Sequence, residues 1–108
     1  MCYALHNGRY AVHDSVIKSF VCKRTSAVFL GKSPKGFPSD ILAVSRRKLR
    51  MLDATGRLVE LRVPVSNRLE VLRGDRAGQH SIRINDQWRI CFVWFEDNAH
   101  EVEIVDYH

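Results

Sequence analysis

The sequence lacks the features that crosslink a protein or anchor it in a membrane. Only three of its 108 residues are cysteines, and no two of them form a CxxC pair. No cysteine lies at metal-ligand spacing from a histidine, which argues against a zinc motif or a disulfide framework. No apolar run approaches the ~20 residues of a membrane span, and the amino terminus does not resemble a secretory signal. We therefore expect a cytoplasmic protein with reduced thiols, no metal, no other cofactor and no membrane association.

The chain also lacks repeats, low-complexity segments and a composition break that would separate two domains. Its hydrophobic fraction of 45% is ordinary for a folded protein. Residues 1–15 show no clear period, whereas residues 16–21 have the β-branched pattern of a strand. We predict a non-essential N-terminal extension over residues 1–15, of the kind an upstream start codon would add, and one domain over residues 16–108.

Positive charge is absent from the last eighteen residues and concentrated before them. Residues 91–108 hold five acids and no Lys or Arg, so residues 1–90 carry seventeen positive and seven negative charges. Arginine dominates from residue 46 onward, and its planar fork of donors suits bidentate contact with phosphate. The pattern predicts a nucleic-acid partner, with a merely soluble basic protein as the alternative. We assign RNA or ribosome binding to Arg46, Arg47, Arg50, Arg68, Arg76 and Arg83.

Apolar spacing predicts helices first and strands afterwards. A short helix over 24–30 should end at Gly31, and a second should run from Pro38-Ser39-Asp40, which supply a first-turn Pro and candidate caps, to about Asp53-Ala54. A turn of helix at 58–62 follows. From Asn67 the period changes to two, and four strands are predicted at 68–72, 79–84, 88–95 and 101–105.

Short turns between these strands indicate an antiparallel meander. The order of elements predicts an α+β fold, with two or three N-terminal helices packed on one face of a small antiparallel sheet. Such short helices do not cover both faces, so we expect the other face to remain open to a ligand.

Several residues on this meander bear the groups that cleave a phosphodiester without a metal. They are Glu70, Arg73, Arg89 and the terminal Asp106, Tyr107 and His108. An RNA 2′-hydroxyl must lose a proton and attack phosphorus, while the departing 5′-oxygen gains one, and acid or base catalysis contributes about 10²–10⁴-fold. Guanidiniums stabilise the developing charge.

Structural readings of these residues remain open from the residues alone. A terminal Asp-Tyr-His is more often a frayed end, and Glu70, taken alone, is more often a solvent-facing strand residue paired with an arginine. His80 lies in a strand and Cys91 in an apolar run, so we expect both to be structural.

From Val16 onward, over about 93 of the 108 residues, the chain resembles the HigB toxins of the RelE superfamily. The matching motifs are L-[KR]-G-D-x-x-G at 72–78, W-R-[IL]-x-F at 88–92 and Asp-Tyr-His at 106–108. The resemblance implies a RelE-like, microbial-ribonuclease-like fold and cleavage of mRNA in the aminoacyl site of the 70S ribosome, which inhibits translation and growth. It also implies a HigA-type helix-turn-helix antitoxin, through which the complex binds operator DNA.

The resemblance also implies residue roles. Arg73 and Arg89 would clamp the phosphate, and Tyr107 would orient a base. Glu70 departs from the pattern, because some HigB proteins carry His there, although other members of the superfamily use a Glu with a C-terminal His.

Our hypothesis makes Glu70 the general base and His108 the acid, with Asp106 steering His108 and favouring its protonated form. The competing assignment makes Asp106 or His108 the base and leaves Glu70 structural.

Two other functions fit parts of the pattern. A basic module that binds RNA or the ribosome and blocks translation without cleavage needs the arginines but not His108. A metal-dependent nuclease is disfavoured because the sequence has no carboxylate cluster.

Overall fold

Two helices and a four-stranded antiparallel sheet form the part of the chain that the computed structural model describes, residues 15–107. The sheet order is β1-β2-β3-β4, a meander in which each strand pairs with the next along the chain. This confirms the predicted α+β class. The elements are α1 (Lys23–Phe29), α2 (Ser39–Asp53), β1 (Glu70–Val71), β2 (His80–Arg83), β3 (Trp88–Phe95) and β4 (Asn98–Asp106), with short 3₁₀ helices at Leu58–Arg62, Val65–Asn67 and Gly74–Arg76.

Both helices form where the sequence predicts them. Gly31, at φ +93°, follows α1 and allows the chain to turn. Apolar residues of α2 recur at helical spacing, and Ile41, Leu49 and Leu52 are buried. The N-cap position of α2 is Pro38 and no side chain caps the helix there. Ser39 and Asp40 therefore lie inside the first turn, where the Asp40 charge favours the helix dipole.

Strand lengths differ from prediction at both ends of the sheet. The predicted strand 68–72 shortens to Glu70–Val71, because Arg68 adopts the left-handed conformation (φ 46°, ψ 58°). Strand β4 begins at Asn98 instead of residue 101. The β3–β4 turn needs only Glu96 and Asp97, whose φ angles of 52° and 62° match a two-residue hairpin turn.

The predicted strand at residues 16–21 forms isolated parallel bridges to β4, at Ile17–Ala99 and Phe20–Val102. Ser15 precedes it, and its Oγ donates to Oδ1 of Asp53 at 2.7 Å. Residues 1–14 lie outside the described residues, so the proposed extension stays a prediction.

The two faces of the sheet differ in chemistry. On one face Ile82, Ile90 and Ile104 stand in register and pack with Val28 and Leu49 of the helices in the hydrophobic core. Alternation places every second residue on the other face. We call this second surface the arginine face, and it carries Glu70, Ser81, Arg83, Arg89, Cys91, Glu103 and Val105.

Within residues 15–107, no helix combines the length and the apolarity needed to cross a membrane.

Candidate active site

Arg89 lies at the centre of the arginine face and is only 9% exposed. Its Nε donates to Oγ of Ser81 at 2.8 Å, and its Nη2 donates to the carbonyl of Arg68 at 2.8 Å. Across the described residues, no hydrogen bond engages Nη1. The guanidinium is therefore held along one edge, and its Nη1 donors have no partner among residues 15–107.

Glu70 and Tyr107 flank this guanidinium. Oε1 of Glu70 lies 3.4 Å from Nη2 of Arg89, and the Glu70 side chain is 50% exposed. The ring centroid of Tyr107 lies 5.6 Å from Cζ of Arg89, within cation–π range. The ion pair with so exposed a carboxylate contributes about 0–1 kcal/mol at most, so it does not by itself account for stability. The fold thus brings a carboxylate, a guanidinium and a phenol together.

Asp106 is separated from this cluster. It is the register partner of Trp88, whose side chain lies in the core, so strand alternation places Asp106 on the opposite side of the sheet from Arg89. Nε2 of Gln87 donates to both Asp106 carboxylate oxygens at 3.2 Å. The carbonyl of Gln87 also accepts from the backbone N–H of Tyr107 at 2.6 Å. Gln87 therefore orients the start of the terminal tripeptide.

Of the two remaining predicted catalytic residues, the structure describes only Arg73, which is not placed with Arg89. Arg73 is exposed and follows β1 by two residues, about 10 Å of extended chain from Glu70. In the part of the chain that the structure describes, its side chain makes no ion pair. His108 lies outside the described residues. The catalytic roles of all six residues, Glu70, Arg73, Arg89, Asp106, Tyr107 and His108, stay predictions.

The three predicted RNA-binding arginines of α2 lie on the helix layer. Arg46 donates from Nε to the carbonyl of Val28 at 3.0 Å and from Nη2 to that of Lys32 at 3.1 Å. These contacts tie α2 to the end of α1, so Arg46 has a structural use that its sequence position does not reveal. Arg47 and Arg50 are exposed.

The other predicted RNA-binding arginines lie on or beside the arginine face. Arg76 lies 3.5 Å from Oε1 of Glu103, and Arg83 forms an ion pair with Asp86. An open groove of about 630 Å³ runs beside the cluster. Its lining residues are Val65, Ser66, Arg68, Leu69, Glu70 and Arg83.

Cys91 and His80 have shifted pKa values, and the direction of each shift agrees with a structural role for the side chain. Burial raises the pKa of the Cys91 thiol, with Glu103 adding to the effect and Arg76 and Arg89 opposing it. Burial lowers the pKa of His80, whose ring stacks on Phe92 at 6.1 Å on the core side of the sheet. A protonated thiol and a neutral imidazole are therefore expected at neutral pH.

Sequence reasoning missed the residues that hold Arg89. Ser81 is fully buried, and its only signal was its alternation with Ile82. Asn67 and Lys48 are also buried and joined by a hydrogen bond, although nineteen residues separate them. No local pattern indicates that pairing.

In residues 15–107, no group of three or more His, Cys, Asp or Glu side chains could hold a metal ion.

Fold and site together define a small basic α+β protein whose sheet carries a guanidinium fixed by two hydrogen bonds. The chain belongs to the HigB-like toxins: the family described as the RelE-like toxin of the type II toxin–antitoxin system HigB matches residues 20–108. A type II toxin acts together with an antitoxin partner.

Individual relatives agree with this family. Toxin HigB-1 of Vibrio cholerae is 44% identical over 62 residues, covering 57% of this chain and 65% of that protein. Endoribonuclease HigB of Proteus vulgaris is 30% identical over 93 residues, covering 86% of this chain and all of that protein. An uncharacterised Haemophilus influenzae protein is 35% identical over 68 residues, with 63% of this chain and 66% of the other covered. The match therefore spans just under two thirds of the Vibrio and Haemophilus proteins and the whole of the Proteus protein.

Proposed function

We propose that this chain is the endoribonuclease toxin of its toxin–antitoxin pair. Its substrate is mRNA in the aminoacyl site of the 70S ribosome, and its action in the cytoplasm inhibits translation and growth. The observation that carries the proposal is Arg89, held by Ser81 and the Arg68 carbonyl beside Glu70. The Proteus relative, which is named an endoribonuclease and is matched over its whole length, adds support.

The chemistry follows from the groups present. Glu70 takes the proton from the ribose 2′-hydroxyl, the 2′-oxygen bonds to phosphorus, and the bond from phosphorus to the 5′-oxygen breaks. His108 gives a proton to that 5′-oxygen, leaving a 2′,3′-cyclic phosphate and a 5′-hydroxyl. The Nη1 donors of Arg89 stabilise charge on the non-bridging oxygens, and Tyr107, 41% exposed, offers a ring for base stacking. Arg73 is the second phosphate ligand, and Asp106 steers His108.

The partner that neutralises this activity is a HigA-type helix-turn-helix antitoxin, through which the complex binds operator DNA. The net charge of +5, with the exposed Arg68 and Arg73 beside the arginine face, is complementary to an acidic partner segment. In the free toxin the same charge draws the protein to ribosomal RNA.

The test compares Arg89→Lys with Arg62→Lys on ribosomes programmed with a defined mRNA. Lysine keeps the charge but cannot make both the Ser81 and the Arg68 contacts, so we expect cleavage to slow by about 10²–10³-fold. Arg62 is exposed and lies outside the cluster, so its variant should cleave like the wild type. Arg89→Lys cleavage within about threefold of the wild type would contradict the role given to Arg89, and wild-type protein that leaves ribosome-bound mRNA uncut would contradict the proposed function.

Deleting His108 separates a nuclease from a ribosome-blocking binder. The nuclease loses cleavage and growth arrest together, with ribosome binding retained. Growth arrest that persists without new mRNA 5′ ends would establish the binder instead.

A further inference from the structure

One of the two contacts that fix Arg89 depends on an unfavourable backbone conformation. The Arg68 carbonyl accepts from Nη2 of Arg89, and Arg68 has φ 46° and ψ 58°. A residue with a side chain seldom occupies this left-handed region unless its surroundings hold it there. Something next to Arg68 must therefore fix the orientation of its carbonyl.

Asn67 precedes Arg68 and is fully buried. Its Nδ2 donates to the carbonyls of Leu61 at 3.1 Å and Val63 at 3.4 Å and contacts Sδ of Met51 at 3.2 Å. Its Oδ1 accepts from Nζ of Lys48. A primary amide both donates twice and accepts, so this one side chain ties the 58–67 connection to α2.

Lys48 is the anchor of this network in the helix layer. It is 7% exposed, and burial, then Arg47 and Arg83, lower the pKa of its ammonium group. Its hydrogen bond to Asn67 is the one its side chain makes among residues 15–107. A buried ammonium requires such a partner, so Lys48 and Asn67 hold each other in place.

We propose that Asn67, anchored by Lys48, is a positioning residue for Arg89. It holds Arg68 in the left-handed conformation, so that the Arg68 carbonyl keeps the Nη1 edge of Arg89 turned toward the substrate phosphate. Without Asn67, Arg68 relaxes to negative φ and its carbonyl turns away. Nη2 of Arg89 then closes the 3.4 Å gap to Glu70, which withdraws both groups from the substrate. The role in cleavage rests on the endoribonuclease function proposed above.

The experiment compares Asn67→Ala with Asn98→Ala in the full-length chain. Asn98 is a matched control, because its Nδ2 also donates to a loop carbonyl, that of Glu96, at 3.0 Å, but in the distant β3–β4 turn. Single-turnover cleavage is followed at increasing concentrations of programmed ribosomes, at a temperature where each variant is folded. For Asn67→Ala we expect the limiting rate to fall by about 10–100-fold, with half-saturation changed less than about threefold. Asn98→Ala should match the wild type.

A second measurement follows Arg89 without any activity. The Nη2–H resonances of Arg89 are assigned by NMR in the free toxin, and their hydrogen exchange with water is measured. Asn67→Ala should speed this exchange by about tenfold, because the guanidinium loses its Arg68 contact although Asn67 does not touch it. Asn98→Ala should leave the exchange unchanged. If Asn67→Ala does not fold, Lys48→Met removes the ammonium donor while keeping the buried stem, and the same acceleration is expected.

The outcomes separate the two proposals. Wild-type toxin that cleaves no mRNA on ribosomes would overturn the proposed function, while the exchange measurement still tests the placement of Arg89. Unchanged Arg89 exchange in a folded Asn67→Ala or Lys48→Met variant would overturn the positioning role. The same holds if cleavage falls only in proportion to the folded fraction.

Discussion

The two faces of this sheet are built from alternate residues of the same strands and have different tasks. On the core face, Ile82, Ile90 and Phe92 are fully buried against the helices, and apolar area decides their contribution. On the arginine face, Ser81 and Arg89 are almost as buried, but their hydrogen bonds decide what they do. Substitutions on the core face should therefore lower the free energy of unfolding, whereas substitutions on the arginine face should slow cleavage.

The largest predicted effect comes from the arginine face. Glu70→Gln keeps the shape of the side chain and removes the charge of the proposed base, so cleavage of ribosome-bound mRNA should slow by about 10²–10⁴-fold. Because the carboxylate is half exposed, the free energy of unfolding should change by less than about 1 kcal/mol. Primer extension and urea unfolding measure the two quantities. Full cleavage by Glu70→Gln would leave Glu70 structural and shift the base to Asp106 or His108.

A core-face substitution should produce the reverse pattern. Phe92→Ala removes a fully buried ring and should lower the free energy of unfolding by about 3–5 kcal/mol. Phe95→Ala, in the same strand but 58% exposed, is the control and should cost less than about 1 kcal/mol. Cleavage per folded molecule should match the wild type in both. A loss of rate in folded Phe92→Ala would show that the two faces are not independent.

The smallest effect concerns His80, on the core side. Burial lowers its pKa in the folded state, so between that value and the ordinary ~6.5 the unfolded chain binds more protons. Stability associated with His80 is therefore full above pH ~6.5 and declines as the pH falls toward the folded-state pKa. His80→Phe should flatten this decline by less than about 1 kcal/mol, as measured by urea unfolding between pH 5 and 7.5. An equally steep decline in the variant would place the titrating group elsewhere.

The sequence predicts the elements whose signals are local. The apolar run of β3 and the helical spacing of α2 identify both elements at almost their observed bounds. The α+β order follows from helical spacing ahead of strand alternation and short turns. These parts depend on neighbours a few residues apart.

What the sequence does not predict depends on contacts between distant segments. Strand β1 is short because Arg68 has a left-handed backbone conformation. The neighbouring Asn67 holds that conformation, and Asn67 is itself bound by Lys48, nineteen residues before it. Arg46 looks like a free cation in the sequence, yet it donates to carbonyls at and beyond the end of α1. Asp106 adjoins Tyr107, but the pleat of β4 separates their side chains. Composition and spacing alone do not contain this information.

The N-terminal segment has a consequence for how partners can join the sheet. Three backbone amides along the outer side of β4 already donate within the chain. Those of Ala99 and Val102 donate to the carbonyls of Val16 and Ser19. The amide of Ile104 donates to the Thr25 hydroxyl. A foreign strand cannot extend the sheet there without displacing residues 16–21, and β1 offers only two residues at the opposite edge. The β4 edge is thus protected against the edge-to-edge association that exposed strands promote, whereas the β1 edge is only short. An antitoxin has to neutralise this toxin by covering side chains, by displacing the N-terminal segment, or by pairing with the short β1.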